Sequence, residues 1–268
     1  MSNIAQTYKR LRSSQKFQKR FGVAIRLIIA VILIAFSIFP VLWIVSASFD
    51  NANSLATQSL IPANAGIKNY QRLFNKDPNF SFGELKYWTW LWNSIKVSGI
   101  NTILGVSITT MAAYAFSRLR FKGRVPILKS ILLIQVFPNL LALVATFALV
   151  SNIGNIVPAL GLNTHAGLIM VYLGGSMGMN IWLVKGYMDT IPRDIDESAH
   201  VDGANDWQVF TKLILPLMRP ILVTIGILSF IGTYGDFLMA RVLLNDSSKY
   251  TLMVGLQLFT SGQFDKKW

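Results

Sequence analysis

The sequence predicts an all-α polytopic membrane protein, and three observations predict it. Hydrophobic residues make up 53% of the 268, charged residues only 14%, and mean hydropathy is +0.47, whereas soluble chains average roughly a quarter charged. The apolar residues gather in runs near the ~20 residues a helix needs to cross a bilayer. The basic residues flank those runs. Such placement sets membrane topology, so the net charge of +13 reads as orientation rather than as a nucleic-acid surface. With no cysteine, disulfides, thiolate nucleophiles and Cys-ligated metals are excluded. Two histidines leave too little for a His-based metal site.

Residues 1–26 carry Lys9, Arg10, Arg12, Lys16, Lys19, Arg20 and Arg26 with no acid, a cytoplasmic basic N-terminus. The first span is Leu27–Phe49, uncharged, long for a cleavable signal and with a kink expected at Pro40. Residues 50–96 read as an external loop broken by Pro62, Gly66, Pro78 and Gly83, with a short helix at Ile67–Phe74. Tyr87, Trp88, Trp90 and Trp92 form an aromatic belt at the membrane surface. The second span is Val97–Ser117, followed by Arg118, Arg120, Lys122 and Arg124 in a short inside loop. The third, Ile127–Ser151, contains Pro138 and sets Gln135 and Asn139 four apart on one face. The fourth, Ala166–Val184, carries Gly174 and Gly178, a spacing that lets another helix approach. After residues 186–220 the fifth span is Ile221–Leu244, and the polar tail Asn245–Trp268 lies outside. Most of the 25 Lys and Arg fall in the inside segments, which orients the N-terminus to the cytoplasm.

Residues 186–220 are the acidic part of this basic protein, with Asp189, Asp194, Asp196, Glu197, Asp202 and Asp206. Pro192 fits a first helical turn, and Asp194, Asp196 and Glu197 suit the positive end of the helix dipole. Asp202-Gly203 ends that helix with a left-handed cap. Asn205 or Asp206 caps a second, which presents Trp207, Phe210 and Ile214 on one side until Pro216 and Pro220 end or kink it. The product is two short helices joined by a sharp elbow. An ordinary helix resting on lipid would have a Lys/Arg-rich polar face; this one is acidic.

Glu197-Ser198-Ala199, Asp202-Gly203-Ala204, Phe210, Ile214, Pro216 and Pro220 resemble the EAA loop of binding-protein-dependent ABC importer permeases, with Ser198 in place of an alanine. Residues 186–199 and 227–257 are similar to the maltose-type carbohydrate branch, in its second, shorter permease subunit. The resemblance implies a type I ABC importer transmembrane domain over 27–268, with five of the family's six transmembrane helices, since relatives continue into a further helix beyond Trp268. It implies that residues 186–220 are the coupling loop, seated in a cleft of a separate ATPase. Glu197, Ser198, Ala199, Asp202, Gly203, Ala204, Phe210 and Pro216 would then be the coupling residues. Glu197 would make the polar contact, Gly203 the elbow, and Ala199 and Ala204 the close approach. The implied partners are a second, non-identical permease, two ATP-binding subunits and an extracytoplasmic solute-binding protein in a bacterial inner membrane.

The sequence holds no G-x-x-x-x-G-K-S/T phosphate loop. ATP and Mg are therefore expected on the partner ATPase, and no cofactor on this chain. An intramembrane enzyme would need a catalytic constellation at membrane depth; the one candidate is Asp236, whose simpler role is to pair with Arg241 or water. Gln135, Asn139, Asn180 and Asp236 are the candidate pathway-lining groups, and helix–helix contact explains the first three equally well. The implied substrate is maltose, maltodextrin or a related oligosaccharide.

Overall fold

The structure, a computed structural model, describes residues 2–51, 61–62, 64–74, 86–136 and 139–259; side chains are described for these except 2–20, 72, 139, 140 and 176. Pro78, Gly83, Pro138, the Asn139 side chain, the basic side chains of residues 9–20 and the last nine residues lie outside this description. The chain divides into two compact units, residues 1–83 with 261–268, and residues 84–260.

In the first unit, α1 (Ser2–Ser48) continues through Pro40, and its part Phe21–Ser48 is long and apolar enough to span a membrane. The expected short helix is present as α2 (Lys68–Phe74). It is tied back by side-chain bonds. Asn69 donates from Nδ2 to the carbonyls of Ser48 at 3.0 Å and Asp50 at 2.9 Å, and the Tyr70 hydroxyl meets Ser48 Oγ at 2.7 Å.

The second unit is built on α3 (Tyr87–Arg118). It packs along α6 (His165–Asp189) and α9 (Arg219–Gly235) and contributes to all three buried apolar clusters, through Val97, through Ala113 and Tyr114, and through Phe116. Its buried face is also rich in polar groups: Asn93, Ser94, Ser98, Asn101, Thr109, Thr110 and Ser117 are buried beside those apolar residues. In lipid the outer face needs apolar residues. The contact face needs small or hydrogen-bonding ones, because hydrophobic burial does not drive helices together there. Asn101 illustrates this, donating from Nδ2 to Thr233 Oγ1 on α9 at 2.8 Å.

Two expected spans are discontinuous. The third falls on α4 (Arg124–Gln135) and α5 (Asn139–Ile156). The fifth falls on α9 and α10 (Leu238–Leu243), which part at Asp236. Between α6 and α9 lie α7 (Asp194–Val201) and α8 (Asp206–Leu217), and α11 (Leu252–Leu256) closes the unit. By length and composition, α1 and α3 can span, and the bent pairs α6 and α8–α9 raise the number to four. The aromatic belt is likewise incomplete. Trp88 and Trp92 are exposed, but Trp90 is 2% exposed and donates from Nε1 to the Ser247 carbonyl at 2.7 Å.

Candidate coupling site

Helix α7 starts two residues later than the sequence suggests: Pro192 precedes it, Arg193 is its N-cap, and Asp194, Asp196 and Glu197 fill its first turn. Gly203 follows in the left-handed region at φ +85°, where an L side chain would be strained. Two backbone bonds fix the turn, Gly203 N–H to the His200 carbonyl at 3.0 Å and Ala204 N–H to the Ala199 carbonyl at 2.9 Å. Asn205 then opens α8 with a capping box. Its side chain accepts from Gln208 N–H at 2.9 Å, and the Gln208 side chain accepts from Asn205 N–H at 3.0 Å.

From Val209 to Ile214 the helix widens to a π-helix, with Leu215 N–H bonded to the Phe210 carbonyl five residues back. Pro216 next in line has no N–H to give, which frees a carbonyl and accommodates the wider turn. The chain then bends by 75° at Met218, between α8 and α9.

The elbow has a wet side and a dry side. Glu197, Ser198, Asp202 and Gly203 are exposed, as is Val201 at 88%. Ala199 and Phe210 are buried, and Ala204 and Pro216 are half-buried. Ala199 and Phe210 join Val209, Ile214, Met188 and Tyr114 in the apolar cluster beneath the elbow, with Ala204 packed against it. The close approach allowed by Ala199 and Ala204 is therefore between the elbow's own two helices. Of the expected apolar face, Phe210 and Ile214 are buried while Trp207 remains 63% exposed.

The anchor beneath the elbow is the last turn of α3, which the sequence reading did not connect with this loop. Arg118 Nε lies 2.6 Å from Asp196 Oδ2, with side chains 7% and 11% exposed, and its Nη2 donates to the Ile191 carbonyl at 2.9 Å. Ser117 donates from Oγ to Asp189 Oδ1 at 2.5 Å, while Arg193 Nη2 donates to the Ser117 carbonyl at 3.1 Å. Tyr114 donates to the Asp206 carbonyl at 3.3 Å, and its ring sits 4.9 Å from that of Phe210. Burial raises the Asp196 pKa above the ordinary carboxylate value, with Arg118, His200 and Arg193 opposing the rise and Glu197 adding to it. The missed signal was Arg118 itself, read only as a topology charge.

Of the candidate pathway residues, Gln135, Asn180 and Asp236 stand on different elements, and the Asn139 side chain lies outside the described residues. Gln135, at the end of α4, lies over Gly178 on α6, where an added Cβ would stand 2.0 Å from its Nε2. Gly178 thus admits the Gln135 side chain, whereas Gly174, its expected partner in a close helix approach, is exposed with nothing among the described residues beside it. Asn180 is half-buried on α6. Asp236 does not pair with Arg241. It accepts at Oδ1 from Met239 N–H at 3.1 Å and Ala240 N–H at 3.3 Å, capping α10, and from the Tyr172 hydroxyl at 2.8 Å. Arg241 instead donates to the Tyr250 hydroxyl at 3.2 Å and stands over its ring.

Known proteins place this architecture. The model of the binding-protein-dependent transport system inner membrane component matches residues 102–263. The maltose/maltodextrin transport system permease protein MalG of Vibrio vulnificus is 47% identical over 227 residues, covering 83% of this chain and 76% of the relative. The corresponding protein of Escherichia coli is 40% identical over 241 residues, covering 88% and 81%. Among solved structures, a bacterial ABC transporter involved in the import of the acidic polysaccharide alginate matches with a TM-score of 0.74 at 24% identity, over 90% of this chain and 80% of that one. The fold is that of a type I ABC importer transmembrane domain. The chain belongs to the family of binding-protein-dependent transport system inner membrane components, as a transporter permease subunit and not an enzyme.

Proposed function

We propose that this chain is the permease subunit of a carbohydrate ABC importer for maltose, maltodextrin or a related oligosaccharide, lying N-terminus inward in the membrane. It forms half of the translocation pathway together with a second, non-identical permease. The elbow of α7 and α8 docks on one of two separate ATPase subunits, which bind ATP and Mg, and an extracytoplasmic binding protein delivers the sugar. The observation that carries the coupling role is the elbow itself. Glu197, Asp202 and Gly203 stand exposed on a turn fixed at φ +85°, while its underside is bolted to α3 through a buried ion pair. A merely lipid-resting loop needs neither an acidic outward face nor so rigid a base. The sugar class rests on the relatives at 40–47% identity named for maltose and maltodextrin transport.

The test is uptake by the assembled transporter. Glu197→Lys reverses the exposed charge, and Gly203→Pro is incompatible with a positive φ; each should abolish maltose uptake while membrane insertion persists. Normal uptake in either variant contradicts the coupling role. Ligand screening of the cognate binding protein tests the sugar independently.

A further inference from the structure

Helix α3 is fastened at both ends to loops remote in sequence. At one end Tyr114, Ser117 and Arg118 hold Asp206, Asp189, Ile191 and Asp196. At the other, Trp90 Nε1 donates to the Ser247 carbonyl at 2.7 Å, and Asn93 Nδ2 donates to the carbonyls of Ser248 at 3.0 Å and Tyr250 at 3.1 Å. Leu252 N–H donates to Ser94 Oγ at 2.7 Å. Most of these bonds end on backbone atoms, so they fix the path of each loop and not merely one side chain.

Between its ends α3 is also the stiff member of the unit. It runs 32 residues with no proline and no break, about 48 Å at 1.5 Å per residue. Its neighbours are shorter: α6 has 25 residues, α9 has 17 and α4 has 12. The helices joined covalently to the elbow, α6 and α9, are therefore the poorer transmitters. The one that grips it from 72 to 92 residues away in sequence is the better.

We propose that α3 acts as a rod that carries displacement of the α7–α8 elbow to the loop of residues 245–251 at the far end of the unit, with Arg118 and Asp196 as the positioning residues at its driven end and Trp90, Asn93 and Ser94 at its output end. This rests on the coupling role proposed above. A coupling path is physically warranted when both sites bias one element, and here both loops are held by the same helix.

The test is amide hydrogen exchange on the assembled transporter, without nucleotide and with ATP trapped. The native protein should show an ATP-dependent change in exchange at residues 245–252. That change should vanish in Asp196→Asn and, from the opposite end, in Asn93→Leu. Uptake in both variants should fall roughly 2- to 30-fold, the range for substitutions along a coupling path, with the ATPase still co-purifying. A merely structural role for Asp196 would not remove a nucleotide response roughly 36–42 Å away, the rise of about 24–28 helical residues between the two sets of anchors.

An ATP-insensitive loop in the native protein, or a response retained in Asp196→Asn, overturns the rod. Because the sequence has no cysteine, spin labels at Val201→Cys with Ile103→Cys, and at Ile103→Cys with Ser247→Cys, give a second measurement that needs no variant of the rod's anchors. Both distances should be the same in the two nucleotide states, and a shift in either overturns the proposal. Failure of the ATPase to co-purify with the native chain would instead remove the coupling role on which the proposal stands.

Discussion

Arg118 and Asp196 are the most consequential pair at the residue scale, because both are nearly excluded from solvent. A buried ion pair is not itself a large source of stability, but removing one partner strands the other, at about 3–5 kcal/mol. Arg118→Gln should therefore lower the thermal midpoint of the detergent-purified protein markedly. The double variant Arg118→Met with Asp196→Leu should recover much of that loss, which thermal unfolding checks directly. At the opposite end of α3, Trp90→Phe leaves the Ser247 carbonyl without its indole donor, a net loss of about 1 kcal/mol. Faster amide exchange across residues 247–252 is the expected signature. Neither pairing was legible in the sequence. Arg118 stands among Arg120, Lys122 and Arg124, and Trp90 among Trp88 and Trp92, so each looks like one more member of a topological set. Only the fold distinguishes buried Arg118 from exposed Arg120 and Lys122, and buried Trp90 from exposed Trp88 and Trp92.

Local chemistry explains why some elements could be read and others could not. The elbow was readable because its determinants are short-range: acids at a helix start, Gly at a left-handed cap, Asn at the next N-cap. The spans were less so. Apolar runs report length and hydrophobicity, but a run is blind to Asp236, whose carboxylate caps α10 and so ends one helix by starting another. The π-helix of α8 ends just before Pro216, which has no N–H to continue an α-helical ladder, a determinant outside the widened residues. The capping box gives a clean prediction for α8. Asn205→Ala should cost about 0.5–2 kcal/mol and Asn205→Asp little, since an aspartate serves equally well as the cap acceptor. Thermal unfolding of the two variants side by side separates loss of the cap from any general sensitivity of the position.

The membrane protein as a whole was legible as a class, because composition and apolar runs are global properties. The buried face of α3 was not, since Ser94, Ser98, Asn101 and Thr109 weaken the apolar signal of the span they hold in place. The sidedness proposed from the basic loops can be measured. In intact cells an impermeant maleimide should label Ser247→Cys and should not label Lys122→Cys; the reverse pattern would invert the topology. The coupling role proposed for the elbow is tested most directly at Val201, the most exposed large apolar side chain among the described residues, on the helix that carries Glu197. With a single cysteine there in an otherwise cysteine-free chain, a short bifunctional cross-linker on the assembled transporter should give one adduct, between this chain and the ATPase subunit. Absence of that adduct in a transporter that still takes up sugar would contradict the account.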